Sequence, residues 1–240
     1  MSGHSKWKNI MHKKEKTDAQ KAKVFSKIGK EMTMCVKEGG PDPVSNSKLR
    51  DLIAKAKSLN VPNDNIERII KKASNADGLV YEDIMYEGYG PCGVAVIAHA
   101  MTENRNRTGS DVRHYFDKFG GNLGQNGCVS FLFSDKGVIL INKDDKVNED
   151  KLMEDSLESG AEDFVADEDV FEIYTQPDDL DAVRDALTNL GYVIESAEKD
   201  KIPSTYVKID NEDDIRRMNL LIENLEENDD VVDIWHNWEE

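Results

Sequence analysis

The spacing of apolar residues predicts three helices in the first third of the chain. Apolar side chains recur every three or four residues through 18–37, 46–59 and 63–73, which gives each segment one buried face. The sequence Gly-Gly-Pro-Asp-Pro at 39–43 ends the first helix, and we expect Asn63 to cap the third. The pattern therefore predicts a small three-helix domain.

From about residue 79 the pattern changes to short apolar runs that alternate with amphipathic stretches. It predicts strands at 81–89, 94–101 and 127–133, and a helix at 109–119. In the last of these strands we expect the apolar side chains to pack in the core rather than to bind RNA. Those side chains are Val129, Phe131 and Phe133.

The second half of the chain repeats this alternation. Residues 137–198 have the predicted order strand, helix, strand, strand, helix, strand, which is the ferredoxin-like pattern. A strand at 205–209, a helix at 212–226 and a strand at 231–235 remain. We expect these last elements to complete the α/β domain that begins near residue 79.

The predicted fold is therefore α+β with three domains. Residues 1–78 form a basic three-helix domain. Residues 79–134 and 205–240 form a discontinuous α/β domain, and residues 135–204 form an inserted ferredoxin-like βαββαβ domain.

Charge is distributed very unevenly along this pattern. Residues 1–75 hold 17 Lys and Arg against 8 Asp and Glu, whereas residues 76–240 hold 14 against 40. The net charges are +9 and −26, which together give the net charge of −17 for the whole chain. A basic block on an acidic body attracts polyanions at one end and repels them elsewhere.

Several cations in this sequence are candidates for nucleic-acid contact. Lysines neutralise phosphates with release of counterions, and a tryptophan among them can stack on an unpaired base. The alternative is a solvated, lysine-rich tail with one anchoring tryptophan. The candidate residues are Lys6, Trp7, Lys8, Lys13, Lys14, Lys16, Lys21, Lys23, Lys27, Lys30, Arg105 and Arg107.

The two arginines lie between a predicted strand and a predicted helix. We expect Thr108 to be the N-cap of that helix, with Asp111 three residues later. A helix N-terminus beside two guanidinium groups suits a phosphate or a carboxylate. In the alternative interpretation, Arg105 and Arg107 pair with nearby acidic residues of the chain.

The sequence lacks the known signatures of catalysis and of cofactor or metal binding. It has no His-Glu-x-x-His, Cys-x-x-Cys, Gly-x-Ser-x-Gly or Walker sequence, so we expect no enzymatic activity, no cofactor and no metal. The glycine-rich segment 120–127 follows a helix and indicates turns rather than a phosphate loop.

Cys35, Cys92 and Cys128 are far apart and fit reduced thiols. The longest apolar stretch, 93–100, is too short to cross a membrane.

Several short motifs extend through nearly the whole chain. They are Gly3-His4-Ser5-Lys6-Trp7, Gly39-Gly40-Pro41-Asp42-Pro43, Pro62-x-Asp64-Asn65-Ile66-x-Arg68, Tyr86-Glu87-Gly88-Tyr89-Gly90-Pro91, Asn104-Arg105-Asn106-Arg107-Thr108, Gly120-Gly121-x-Leu123-Gly124, Ile202-Pro203 and His236-Asn237. In this combination the sequence resembles the YebC family of bacterial and organellar proteins. Cys92 and Cys128 stand where that family usually has Gly and Ser.

The resemblance implies a three-domain fold and a role in gene expression. Family members are named transcriptional regulators that bind DNA, mitochondrial members are translational activators, and bacterial members are linked to ribosomes stalled on proline-rich nascent chains. We therefore expect a cytoplasmic, bacterial, ribosome-associated translation factor that binds ribosomal RNA and no membrane. The alternatives are a DNA-binding transcriptional regulator and a protein-interaction scaffold that uses the acidic domains.

Overall fold

The structure is a computed structural model that describes residues 18–74, 81–144, 147–167 and 169–239. In chain order its helices and strands are α1 (Asp18–Gly39), α2 (Ser47–Ser58), α3 (Asn63–Ala73), β1 (Glu82–Tyr89), β2 (Ala95–Thr102), α4 (Arg105–Lys118), β3 (Asn122–Leu123), β4 (Phe133–Asn142), α5 (Glu149–Glu158), β5 (Asp163–Ala166), β6 (Val170–Thr175), α6 (Leu180–Asn189), β7 (Ser196–Pro203), β8 (Val207–Lys208), α7 (Glu212–Glu227), β9 (Val231–His236) and β10 (Trp238–Glu239).

The described residues divide into two compact units. The first unit comprises 18–130 and 209–237, and the second comprises 131–208 and 238–239. The first unit contains the three helices α1 to α3 and an α/β part, and the second contains the ferredoxin-like part. No helix in the described ranges is both long and apolar enough to cross a membrane.

The three N-terminal helices pack around a core of apolar side chains. Met32 of α1, Leu49 of α2 and Ile66 of α3 are among the buried residues of this core. The Asn46 side chain caps α2 by accepting a hydrogen bond from the backbone N–H of Leu49, at 3.1 Å. The three predicted helices are thus confirmed.

The cap predicted for α3 is wrong. Asn63 is the first residue of the helix, and Pro62 is at the N-cap position, where it makes no side-chain cap. The carbonyl of Pro62 accepts hydrogen bonds from the N–H groups of Asn65 and Ile66, at 2.9 and 3.2 Å. The helix therefore begins one residue earlier than predicted, because its first backbone acceptor is Pro62.

The α/β part of the first unit is a four-stranded antiparallel sheet in the order β3-β1-β2-β9. Helices α4 and α7 cover one face of it, with Phe116 and Met218 fully buried. A Cβ atom on Gly88 of β1 would lie 2.8 Å from Phe116 Cε1, so this strand and α4 approach closely enough to require glycine there.

Two predicted strands are corrected by the structure. Of the strand predicted at 127–133, residues 127–132 form a loop with a 3₁₀ turn at Ser130–Leu132, and Phe133 begins β4. Val129 is buried in this loop, whereas Phe131 is 72% exposed. The strand predicted at 205–209 is reduced to β8, which pairs in parallel with β10 and does not join the four-stranded sheet.

The second unit has the ferredoxin-like topology that the sequence predicts. Its sheet has the order β5-β6-β4-β7, and all neighbouring strands are antiparallel. Buried residues of α5 and α6, including Leu152 and Leu187, pack with Ile139 and Ile173 of the sheet. Strand β7 runs over Ser196–Pro203 and so extends past residue 198, where the predicted pattern ends. The predicted α+β fold class is confirmed.

Candidate nucleic-acid interface

Two of the predicted nucleic-acid contacts meet on one buried carboxylate in the turn between α7 and β9. The Oδ1 atom of Asp230 accepts a hydrogen bond from Lys30 Nζ at 2.7 Å. Its Oδ2 atom accepts from Arg107 Nη2 at 2.6 Å, from Thr108 Oγ1 at 2.8 Å and from Thr102 Oγ1 at 3.2 Å. We call this group the Asp230 cluster.

The Asp230 cluster holds its carboxylate in the ionised form. Burial by itself would raise the pKa of Asp230, but hydrogen bonds from Lys30, Arg107 and Thr108 outweigh it and lower the pKa to about 2. The sequence predicts an anion beside the arginines at the start of α4. For Arg107, that anion is the carboxylate of Asp230 in the same chain.

The two arginines of the predicted anion site differ in their surroundings. Asn104 caps α4 by accepting from the N–H of Arg107 at 3.1 Å, so the predicted cap at Thr108 is wrong. Thr108 lies inside the helix, where its hydroxyl donates to Asp230 instead. Arg105 is the first helical residue, and its side chain is 66% exposed, with its nearest carboxylate on Glu82 at 4.0 Å.

Lysines of α1 make a row of hydrogen bonds to the end of α7. Lys23 Nζ donates to the carbonyl of Glu227 at 3.1 Å, and Lys27 Nζ donates to that of Glu226 at 2.7 Å. Lys30 Nζ also donates to the carbonyl of Asp229 at 2.9 Å. A helix C-terminus exposes unpaired carbonyls and carries partial negative charge, which favours lysines at this place.

The predicted lysines are thus only partly placed by the structure. Lys23, Lys27 and Lys30 are spaced four and three residues apart and share one face of α1, and this face is directed at the end of α7. The structure does not describe the remaining candidates, which precede residue 18, and for Lys21 it describes the backbone only. They are Lys6, Trp7, Lys8, Lys13, Lys14, Lys16 and Lys21.

A second buried carboxylate, Glu87 of β1, organises the loop that follows β3. Its Oε1 atom accepts from the N–H of Gly127 at 2.8 Å, and its Oε2 atom accepts from those of Val129 and Ser130, each at 2.9 Å. Burial raises the pKa of Glu87, but these backbone hydrogen bonds reverse the effect and lower it. In the sequence Glu87 stands out only as part of the motif at 86–91 and is not among the predicted site residues, because one Glu among 48 acidic residues does not show which groups it binds.

Replacing Glu87 by Gln should destabilise this loop. The amide NH₂ would face a backbone N–H in place of an acceptor oxygen, which should lower the free energy of unfolding by about 1–3 kcal/mol. Hydrogen exchange should show faster exchange of the Val129 and Ser130 amides. Glu82→Gln is a matched control in the same strand, since the Glu82 side chain is 55% exposed. Unchanged protection of both amides would contradict the assigned role of Glu87.

The sheet face away from α4 carries a histidine between two carboxylates, in a site that spans three strands. His99 Nε2 lies 2.8 Å from Asp83 Oδ1, and His99 Nδ1 lies 3.8 Å from Asp233 Oδ2. Burial lowers the pKa of His99, but the neighbouring carboxylates of Asp233 and Asp83 raise it above its usual value. The Trp235 ring stacks on the imidazole, with centroids 6.3 Å apart. This arrangement links β1, β2 and β9.

The described residues contain no cluster of three or more His, Cys, Asp and Glu side chains that could hold a metal ion. Cys35, Cys92 and Cys128 are free thiols.

Comparison with known proteins gives matches along nearly the whole chain. A family model described as the TACO1/YebC protein N-terminal domain matches residues 5–76, and one described as the TACO1/YebC second and third domain matches residues 81–238. A "probable transcriptional regulatory protein" of Acetivibrio thermocellus is 58% identical, with 99% of each chain covered. One of Caldicellulosiruptor saccharolyticus is 57% identical over 100% of this chain and 99% of its own.

A solved structure is also similar. The crystal structure of a conserved hypothetical protein from Aquifex aeolicus shares 45% sequence identity and has a TM-score of 0.83. The match covers 93% of this chain and 92% of that chain. A protein of similar fold has therefore been solved by crystallography.

Proposed function

Because this chain belongs to the TACO1/YebC family, we propose that it is a nucleic-acid-binding regulator of gene expression. It acts in the cytoplasm as a ribosome-associated translation factor. It contacts ribosomal RNA and assists elongation where proline-rich sequences stall the ribosome. It acts by docking rather than by catalysis. The names of its relatives, which are regulatory proteins and not enzymes, are consistent with that mode of action.

The observation that carries the proposal is the excess of positive charge in the helical domain. The described part of this domain, 18–74, holds 12 Lys and Arg against 7 Asp and Glu, whereas residues 76–240 have a net charge of −26. Such a distribution directs a polyanion to the helices and away from the two acidic domains. The acidic domains are then left for contacts with protein surfaces.

The proposed phosphate contacts come mainly from the lysines that precede the Lys23 to Lys30 row. Lys30 is committed to Asp230, and Lys23 and Lys27 donate to carbonyls of α7. An RNA phosphate would have to compete with these internal acceptors for the three lysines. We therefore assign the larger share of binding to Lys6, Lys8, Lys13, Lys14, Lys16 and Lys21, with Trp7 able to stack on a base.

A DNA-binding transcriptional regulator is the second candidate, because the names of the relatives state transcriptional regulation. Lysine contacts to phosphate carry no sequence information, so a lysine-rich surface by itself does not specify an operator. RNA of a large, fixed structure is recognised by shape and backbone and suits such a surface better.

The test is to compare ribosomes and DNA as targets of the purified full-length chain. It should co-sediment with ribosomes at physiological salt, and duplex DNA should shift in a gel only weakly and be outcompeted by RNA. Strong, sequence-dependent binding of DNA that survives RNA competitor would favour the transcriptional alternative. Absence of binding to both targets would contradict the proposal.

A further inference from the structure

We propose that the solvent face of α3 is a second RNA-binding surface, which contacts phosphates through Arg68, Lys71 and Lys72. This inference rests on the proposed function and adds a site that the charge pattern of the N-terminal lysines does not include. We call these three residues the α3 cationic face.

The helical periodicity of α3 separates a buried face from this cationic one. Ile66 and Ala73 are buried against α1 and α2, with 4% and 5% of their surface exposed. Arg68, Lys71 and Lys72 are exposed, and with 3.6 residues per turn they lie on the side opposite the buried pair. The three cations therefore point together towards solvent.

The exposed side of α3 also carries Asp64 and Glu67, one turn before Arg68 and Lys71. The three cations nevertheless differ from others of the helical domain in their distance from a carboxylate. Lys48 lies 3.7 Å from a carboxylate oxygen of Glu38, and Arg50 lies 3.9 Å from one of Asp51. For the α3 cationic face, the described parts of the chain provide no carboxylate oxygen within the 4.0 Å of an ion pair. Among the described residues, a cation outside such a close ion pair remains available to a phosphate.

The position of Arg68 is fixed by its own helix. Its Nη2 atom donates to Asn65 Oδ1 at 3.0 Å, one turn earlier. This bond uses one of the five N–H donors of the guanidinium group and leaves others for an oxyanion. A guanidinium group held in this way is suited to a bidentate contact with phosphate.

The spacing of the face fits neighbouring phosphates of one strand. The rise of 1.5 Å per residue separates Arg68 from Lys72 by about 6 Å along the helix axis. The three cations are therefore close enough together to contact neighbouring phosphates of one RNA strand.

A plain structural role accounts for part of this pattern. Lys71 and Lys72 lie in the last turn of α3, where cations stabilise the negative end of the helix. That role would change stability by a few tenths of a kcal/mol and would leave the salt dependence of RNA binding unaffected. Salt dependence is therefore the measurement that distinguishes the two roles.

The test uses the full-length double variant Lys71→Gln with Lys72→Gln, and a labelled RNA hairpin of ribosomal sequence as probe. The slope of log K against log salt should become shallower by about 1.4 to 1.8, at about 0.7 to 0.9 for each lost contact. At about 0.15 M salt the Kd should rise roughly tenfold. Lys71→Arg with Lys72→Arg should restore binding, because it keeps the charge.

The matched control is Lys48→Gln with Arg50→Gln, which removes two exposed cations that each lie beside a carboxylate. Equal loss of binding in both double variants would show that only total charge matters and would overturn the inference. An unchanged slope for the Lys71 and Lys72 variant, while the wild type binds RNA, would also overturn it and would leave the proposed function standing. No RNA binding by the wild type would instead contradict the proposed function.

Discussion

Replacing Asp230 by Asn should lower the free energy of unfolding by about 3–5 kcal/mol, the range for breaking one side of a buried ion pair. The side chains of Asp230 and Lys30 are only 9% and 13% exposed, so the lysine would be left buried without its counterion. An Asn amide would also direct an NH₂ group at one of the donors that now surround the carboxylate. Urea denaturation followed by circular dichroism at pH 7 measures the effect.

The neighbouring residue provides the control for this substitution. Asp229 binds Lys30 through its backbone carbonyl, at 2.9 Å, so Asp229→Asn should change stability by less than about 0.5 kcal/mol. Lys30→Met should destabilise less than Asp230→Asn, because Arg107 and the two threonine hydroxyls still satisfy the carboxylate. A loss below about 1 kcal/mol for Asp230→Asn would show that the cluster does not hold α1 to the α/β part.

The same cluster should make stability depend on acid pH. The pKa of Asp230 falls from its ordinary value of 3.8 to about 2 on folding, so its contribution is present above pH 4. As the pH falls from about 4 to about 2, the carboxylate takes up a proton and that contribution is lost. The difference in stability between the wild type and Asp230→Asn should therefore shrink through this range.

The sequence predicts which helices and strands form better than it predicts the residues at which they begin and end. The start of α4 shows why. Asn104 and Thr108 are both good N-cap residues, and local sequence does not decide between them. The choice depends on Asp230, 122 residues away, which takes the Thr108 hydroxyl. Glu87 acts in the same way on the predicted strand at 127–133, since its carboxylate binds N–H groups that a neighbouring strand would otherwise use.

The candidate interface could be predicted only in part for a similar reason. Helical spacing correctly groups Lys23, Lys27 and Lys30 on one face of α1, because that grouping is local. Whether the face meets solvent or protein depends on α7, about 200 residues later, whose final carbonyls accept from these lysines. The cations of α3 were not among the predicted contacts, because the helix has nearly balanced charge and only its burial pattern shows which side is exposed.

Replacing Lys13, Lys14, Lys16 and Lys21 by Ala should have the largest effect on RNA binding. If each lysine neutralises one phosphate, the slope of log K against log salt should become shallower by about 3, at about 0.7 to 0.9 per contact. Salt titration of RNA-hairpin binding by the full-length variant measures this change. Thermal unfolding should be almost unchanged, because the substitution leaves the Lys30 to Asp230 ion pair in place.

The control removes the same number of positive charges from the acidic domains, through Ala substitutions of four exposed lysines. They are Lys118, Lys151, Lys199 and Lys208. This variant should keep the wild-type slope, since the negative potential around these residues keeps phosphate away. If both variants lose the same slope, RNA responds to net charge alone and the basic helical domain has no special part in binding. If only the N-terminal variant does, the charge division along the chain determines where the RNA lies.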